Sequence, residues 1–162
     1  MNETFYITTP IYYANSSPHL GHLYSTIVAD VIARWKRQCG SDTYFLTGTD
    51  EHGINIQRAA EKAGRTPKEQ VDLISAEIRR LFEDFRIDTA NGGYDQFMRT
   101  SEPFHYEGAR HFWKEIAKNR TPKGNETIYK GFYEGWFCAP CAAFKFEDEY
   151  SQPDGSNVPV CL

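Results

Sequence analysis

The spacing of apolar residues changes several times along the chain, and each change marks an element. Phe5-Tyr6-Ile7-Thr8-Thr9 is a short β-rich run stopped by Pro10, the pattern of a buried parallel strand. Tyr12 to Pro18 is loop-like. Leu23, Ile27, Val28, Val31, Ile32 and Trp35 then recur at helical spacing, which predicts a helix with these side chains on one buried face. Lys36, Arg37 and Gly40 suit its carboxyl end. Thr43-Tyr44-Phe45-Leu46-Thr47 predicts a second strand that ends before Gly48. A helix follows to about Lys62, with Gly64 closing it. Thr66-Pro67-Lys68-Glu69 is a start signal, with Thr as cap, Pro in the first turn and Glu as capping-box partner. Val71, Ile74, Ile78, Leu81, Phe82 and Phe85 predict the inward face of that helix. Asp95 to Thr100 suits a third strand. Ser101-Glu102-Pro103 opens another helix, with Phe104, Ala109, Phe112, Trp113 and Ile116 inward. From Thr121 the character changes: Thr121 to Asn125 is a loop and Thr127 to Phe137 is aromatic and Gly-punctuated, like short strands and turns, so a subdomain boundary is expected near Pro122. Strand, helix, strand is a βαβ unit, and the fold class is α/β with a parallel sheet.

Composition narrows this further. The 162 residues are enough for one ordinary domain with its own core, and 40% hydrophobic with 25% charged residues is a globular balance. A net charge of −4 gives no global basic character, so a nucleic-acid partner needs a local patch or a surface elsewhere. No run approaches the ~18 apolar residues of a membrane span. Strand-like residues begin by Thr4, leaving no room for a presequence, so a cytoplasmic location is expected. Cys39, at a helix end, is expected to be a small buried hydrophobe.

Three constellations carry chemistry. His19-Leu20-Gly21-His22 falls after the first strand, where a helix begins. Unpaired N–H groups and the positive end of the helix dipole favour an anion there, and imidazoles can donate to phosphate oxygens. Gly21, lacking a Cβ, allows a base or ribose to come close. The plain alternative is that His19 caps the helix and His22 is a surface residue. Asp50 follows the second strand and faces the same crevice as the loop Thr9–Asn15. It can hold an ammonium group, with Ile11 and Tyr13 as an apolar wall; its plain alternative is a helix N-cap. Cys138-Ala139-Pro140-Cys141 can put two thiolates on one tetrahedral metal, and Cys161 follows at a knuckle-to-knuckle interval. A redox pair lacks the strand-then-helix context. The basic residues Lys62, Arg65, Lys68, Arg79 and Arg80 are expected on solvated faces, and Trp136 is expected to pack beside the cysteines.

Pro18-His19-Leu20-Gly21-His22 resembles the HIGH signature of class I aminoacyl-tRNA synthetases. T-T-P-I-Y-Y-A-N from Thr8, F-L-T-G-T-D-E-H-G from Phe45 and I-Y-K-G-F-Y-E-G-W-F-C-A-P-C from Ile128 resemble the methionyl branch of that class, in order and along nearly the whole chain. The resemblance implies the first half of a Rossmann-like doubly wound parallel sheet (1–121), then the start of a zinc-knuckle connective-peptide subdomain (122–162). It implies that His19 and His22 stabilise the pentacoordinate phosphate and that Asp50 holds the methionine amino group. It further implies Ile11 and Tyr13 in the side-chain pocket, His52 near the substrate, and Asn15 and Gly21 beside adenosine. ATP with Mg2+, methionine and tRNA are the implied substrates and partners. A structural Zn2+ on Cys138, Cys141 and Cys161 is implied, with a fourth ligand expected beyond Leu162. Oligomeric state is left open.

The second class I signature, KMSKS, does not occur here, so the chain alone is expected to be an inactive part of the enzyme. Three alternatives stand beside this one. They are another class I synthetase (for Leu, Ile, Val or Cys), a small-molecule nucleotidyltransferase sharing the H-x-G-H site, and a non-catalytic zinc-binding module.

Overall fold

The computed structural model describes residues 3–151 and 160–161. Its chain divides into two compact units. One comprises Met1–His52 with Ile56–Glu107, the other Gly53–Asn55 with Gly108–Leu162.

The first unit is built on a parallel sheet of β1 (Thr4–Thr8), β2 (Tyr12–Tyr13), β3 (Asp42–Asp50) and β4 (Gln96–Arg99). Strand β3 is central. Its first half pairs with β1 from Thr4↔Asp42 to Thr8↔Leu46, and its end pairs with β2 at Tyr12↔Thr49 and Tyr13↔Asp50. On its other flank Leu46 to Thr49 face Gln96 to Arg99 of β4. The Tyr12–Tyr13 segment, expected as loop, is thus a short strand that pairs with β3 beyond β1, and Thr9 between them donates its N–H to the Leu46 carbonyl of β3 at 3.2 Å. The second strand is longer than the predicted 43–47. Gly48 lies inside it, because a Cβ there would sit 2.0 Å from the Met98 carbonyl oxygen of β4. Glycine here permits close strand approach and does not end the strand.

Helix α1 (Leu20–Gln38) crosses from β1 to β3. The predicted inward face is half right, since Leu23 belongs to the core and Ile27 packs against it. Leu23, Thr26, Ala29, Asp30 and Ala33 are buried, whereas Val28, Val31 and Trp35 are exposed. Small and hydrogen-bonding residues win the inner face for two reasons. Ala29 and Ala33 fill little space, and Thr26 has a buried partner in Tyr12 (Oγ1 to OH, 2.7 Å). Asp30 pairs with Arg34 at 2.7 Å, and Arg34 also donates to the carbonyls of Arg86 and Asn91. Cys39 is exposed, a second correction: as C-cap its N–H donates to the Trp35 carbonyl, and its side chain has left the core.

Helix α2 (Ile54–Lys62) follows β3, and α3 (Pro67–Asp84) starts on the predicted capping box. Thr66 N–H donates to Glu69 Oε2 at 2.8 Å, and Glu69 N–H donates to Thr66 Oγ1 at 3.2 Å. Val71, Ile74, Ile78 and Phe82 are buried with Phe45, Ile56, Ile87, Tyr94 and Phe97 in the core. Phe85 is half exposed, because it is the C-cap and no longer follows the helical face.

In α4 (Pro103–Lys118) no residue is buried, and Phe104, Phe112 and Trp113, expected inward, are exposed. The second unit holds two hairpins. One joins β5 (Trp136–Cys138) to β6 (Ala143–Lys145), the other joins β7 (Tyr150–Ser151) to β8 (Val160–Cys161). Of residues 127–137, expected to form short strands and turns, only the end from Trp136 enters a strand, β5. Trp136 is half exposed in β5. Among the described residues no helix is long and apolar enough to cross a membrane.

Candidate functional site

The carboxyl ends of parallel strands leave the sheet on one rim, and ligands of open α/β sheets bind there. In this chain β1, β2, β3 and β4 all run parallel, so the loops after Thr8, Tyr13, Asp50 and Arg99 share that rim. Tyr12 ties two of them together. Its backbone lies opposite Thr49, while its phenol OH meets Ser25 Oγ at 2.8 Å, Thr26 Oγ1 at 2.7 Å and the His22 carbonyl at 3.1 Å. The ring is buried and packs edge-on against the His22 imidazole, centroids 4.7 Å apart. The end of β3 and the head of α1 are therefore held by one side chain. Tyr12 was missed as a site residue in sequence; its signal was a tyrosine two residues beyond a strand-ending proline.

Strand alternation sorts the neighbours of Tyr12. Tyr12 and Ala14 are buried, while Ile11, Tyr13 and Asn15 are exposed. Ile11 and Tyr13 thus share the open face, and Tyr13 lies opposite Asp50 in the ladder. Ala14 N–H donates to the Asp50 carbonyl at 3.2 Å.

The two histidines form a reciprocal cap. Gly21 N–H donates to His19 Nδ1 at 3.1 Å, and His19 N–H donates to His22 Nδ1 at 3.0 Å. The capping role weighed for His19 is real, and His22 takes part in it. The rings stack with centroids 3.8 Å apart. Each Nδ1 accepts a backbone proton, so in the neutral ring the proton resides on Nε2, which is then the donor. Burial, aided by the neighbouring His19, lowers the His22 pKa from 6.5 and favours that neutral form. A Cβ on Gly21 would meet His19 Cε1 at 3.0 Å, so the glycine makes room for the imidazole itself.

Asp50 is the last residue of β3, four positions before α2 begins, so it is not a helix cap. Its neighbour Glu51 is a second residue that sequence reasoning passed over. The Glu51 side chain is wholly buried, receiving Arg99 Nε and Thr49 Oγ1 at 2.7 Å on Oε1 and the Ser101 hydroxyl on Oε2. Arg99 extends the chain of charges to Asp72 Oδ1 at 2.6 Å, and Asp72 meets Lys68. Hydrogen bonds from Lys68 and Arg99 hold the Asp72 carboxyl below its ordinary range. His52 Nε2 lies 3.3 Å from the Thr100 carbonyl oxygen and 3.1 Å from Tyr106 OH.

In the second unit Cys138 closes β5, Cys141 lies on the turn to β6, and Cys161 closes β8. Their sulfurs all lie within 4.8 Å of one another, and Cys141 and Cys161 are 3.7 Å apart. A disulfide is ruled out at that length, being about 2.05 Å. Two thiolates at ~2.3 Å from a tetrahedral ion stand roughly 3.8 Å apart, so the cluster fits a metal such as zinc. Hydrogen bonds from the Cys141 backbone and thiol lower the Cys138 pKa.

Comparison with known proteins agrees with this geometry. The methionine–tRNA ligase of Thermotoga maritima is 48% identical over 145 residues, 90% of this chain and 21% of that protein. That of Clostridium tetani is 45% identical over 159 residues, 98% of this chain and 23% of that protein. The chain thus spans under a quarter of these curated relatives. A crystal structure of Mycobacterium tuberculosis methionyl-tRNA synthetase bound by methionyl-adenylate superposes with a TM-score of 0.81. It is 33% identical, covering 98% of this chain and 29% of that one. A family model described as tRNA synthetases class I (M) matches residues 5–161, and on that near-complete match the chain belongs to this family.

Proposed function

We propose that the chain is the amino-acid-activating N-terminal part of a methionine–tRNA ligase, which forms methionyl-adenylate from methionine and ATP and passes the methionyl group to tRNA. One observation carries this reading: Tyr12 joins the stacked His19–His22 pair to the strand end that bears Asp50. In this reading the Nε2–H groups of His19 and His22 donate to the phosphate as negative charge grows in the transition state. Fixed donors of this kind supply most of the catalysis in such transfers. Asp50 takes the ammonium group of methionine. Ile11 and Tyr13 offer its side chain an apolar wall, and His52 lies beside the substrate. Asn15 and Gly21 border the adenosine, and Mg2+ accompanies ATP. Cys138, Cys141 and Cys161 hold a structural zinc, which cross-links the two hairpins of a subdomain that we set at 122–162, apart from the activating part at 1–121. A cytoplasmic location belongs to the same proposal.

The test uses a protein of the relatives' full length that carries this segment. Methionine-dependent ATP–pyrophosphate exchange is measured for the His22→Ala and Asp50→Ala variants. His22→Ala is expected to lower the exchange rate by about 10²-fold or more, the scale of losing one transition-state donor. Asp50→Ala is expected to abolish saturation by methionine. Unchanged exchange in His22→Ala removes the phosphate role, and unchanged methionine affinity in Asp50→Ala removes the ammonium role.

A further inference from the structure

The ladder between β3 and β4 stops at Thr49↔Arg99, with one more backbone bond from Thr100 N–H to the Thr49 carbonyl at 3.2 Å. Asp50, Glu51 and His52 lie beyond it. On the β4 side, side chains take over from the ladder. Glu51 N–H donates to Thr100 Oγ1 at 2.8 Å, and the Glu51 carboxylate receives Arg99, Thr49 and Ser101. Glu51 is thus pinned through both its backbone and its side chain, between the two residues assigned to the substrate.

A buried ion pair such as Glu51–Arg99 is expensive to desolvate, and replacing both partners together by apolar residues is often neutral for stability. Stability is therefore a weak reason for its presence. What an apolar residue cannot do is fix direction. The planar guanidinium of Arg99 forks, with Nε on Glu51 and Nη2 on Asp72 at 2.6 Å, so the loop after β3 is referenced to α3 as well as to β4. Residues on either side of so constrained a carboxylate have little freedom to drift.

We propose that Arg99 is a positioning residue for methionine binding, acting through the buried Glu51 to hold Asp50 and His52 in place, with Asp72 as its outer anchor. This rests on the assignment of Asp50 to the methionine ammonium group.

The test measures KM for methionine and for ATP in the exchange reaction, together with the unfolding midpoint, in the full-length protein. Arg99→Lys keeps the charge but loses the fork. It is expected to raise the methionine KM by about tenfold while the ATP KM stays within about twofold. Glu51→Gln can keep every contact, with its amide oxygen receiving Arg99 and Thr49 and its amide nitrogen donating to Ser101. Its methionine KM is expected to move less than that of Arg99→Lys. Asp72→Ala, at a half-exposed site, removes the acceptor of Arg99 Nη2 and with it the outer anchor, and is expected to raise the methionine KM selectively. It decides the matter if Arg99→Lys fails to fold. Equal rises in both KM values, or a lowered unfolding midpoint with no change in either, overturn the proposal. If Asp50→Ala raises the methionine KM while the Arg99 and Asp72 variants do not, positioning alone fails. If Asp50→Ala changes nothing, the ammonium assignment fails and this inference with it.

Discussion

His22 shows how one residue serves a helix and a ligand together. Its Nδ1 receives the His19 N–H and closes the cap, which leaves its Nε2 as the donor of the neutral ring. Burial is the larger cause of its lowered pKa, and the like charge that His19 can carry adds to it. The folded chain therefore binds fewer protons here than the unfolded chain between the lowered value and 6.5. Stability from this group is complete above pH 6.5 and is lost as pH falls through the folded value. A titration of the His22 ring by NMR is expected to give a midpoint below 6.5, and His22→Gln to flatten the pH dependence of unfolding in that interval. A midpoint at or above 6.5 contradicts the placement. The H-x-G-H spacing was legible from sequence because its chemistry depends on residue type and helix position alone. Glu51 and Arg99 were not. They are 48 residues apart, and nothing local distinguishes a buried carboxylate from the solvated charges around it.

Elements were legible where local signals set them and misread where tertiary contacts did. The Thr66 cap needs only Glu69 three residues on, and both reciprocal bonds are present. Thr66→Ala is expected to cost about 1 kcal/mol in denaturant unfolding, the usual worth of a cap. No measurable change means that α3 does not depend on this start. The capping bonds also lower the Glu69 pKa, so its contribution is present above 4.5 and fades as pH falls through the folded value. Gly48 was misread because glycine most often ends a strand, whereas here Met98 crowds it. Gly48→Ala is expected to part β3 from β4 and unfold the sheet at markedly lower denaturant. In the second unit the C-x-x-C turn and Cys161 as its companion were both expected from spacing, and the three sulfurs lie within 4.8 Å of one another. Titrating the chain with Co2+ is expected to give thiolate-to-metal absorption at one ion per chain, and Cys141→Ser to remove it. Equal absorption in the variant means the cluster is not the ligand set.

At the scale of the whole chain, the exposed apolar stripe of α1 has the largest consequence. Tyr24, Val28, Val31 and Trp35 are all exposed and lie at i, i+4, i+7 and i+11, one stripe along the helix. Sequence periodicity placed Val28, Val31 and Trp35 of this stripe in the core, since periodicity reports that an apolar face exists and not what covers it. The face toward the sheet is instead small and polar, with Thr26 and Asp30 bonded to Tyr12 and Arg34. The outer edge of β4 has no partner strand among the described residues, and Phe104, Phe112 and Trp113 are exposed on α4. Exposed stripes and strand edges of this kind drive self-association. The chain on its own is therefore expected to bind a hydrophobic dye and to sediment as oligomers at micromolar concentration. The double variant Val28→Lys, Val31→Lys places charge in the middle of the stripe. It is expected to reduce both effects while leaving the unfolding midpoint within about 0.5 kcal/mol of the parent, as exposed substitutions do. If it instead destabilises the chain by several kcal/mol, as two buried lysines must, then Val28 and Val31 belong to the core. In that case α1 is rotated about its axis, and the bond from Tyr12 to Thr26 cannot form.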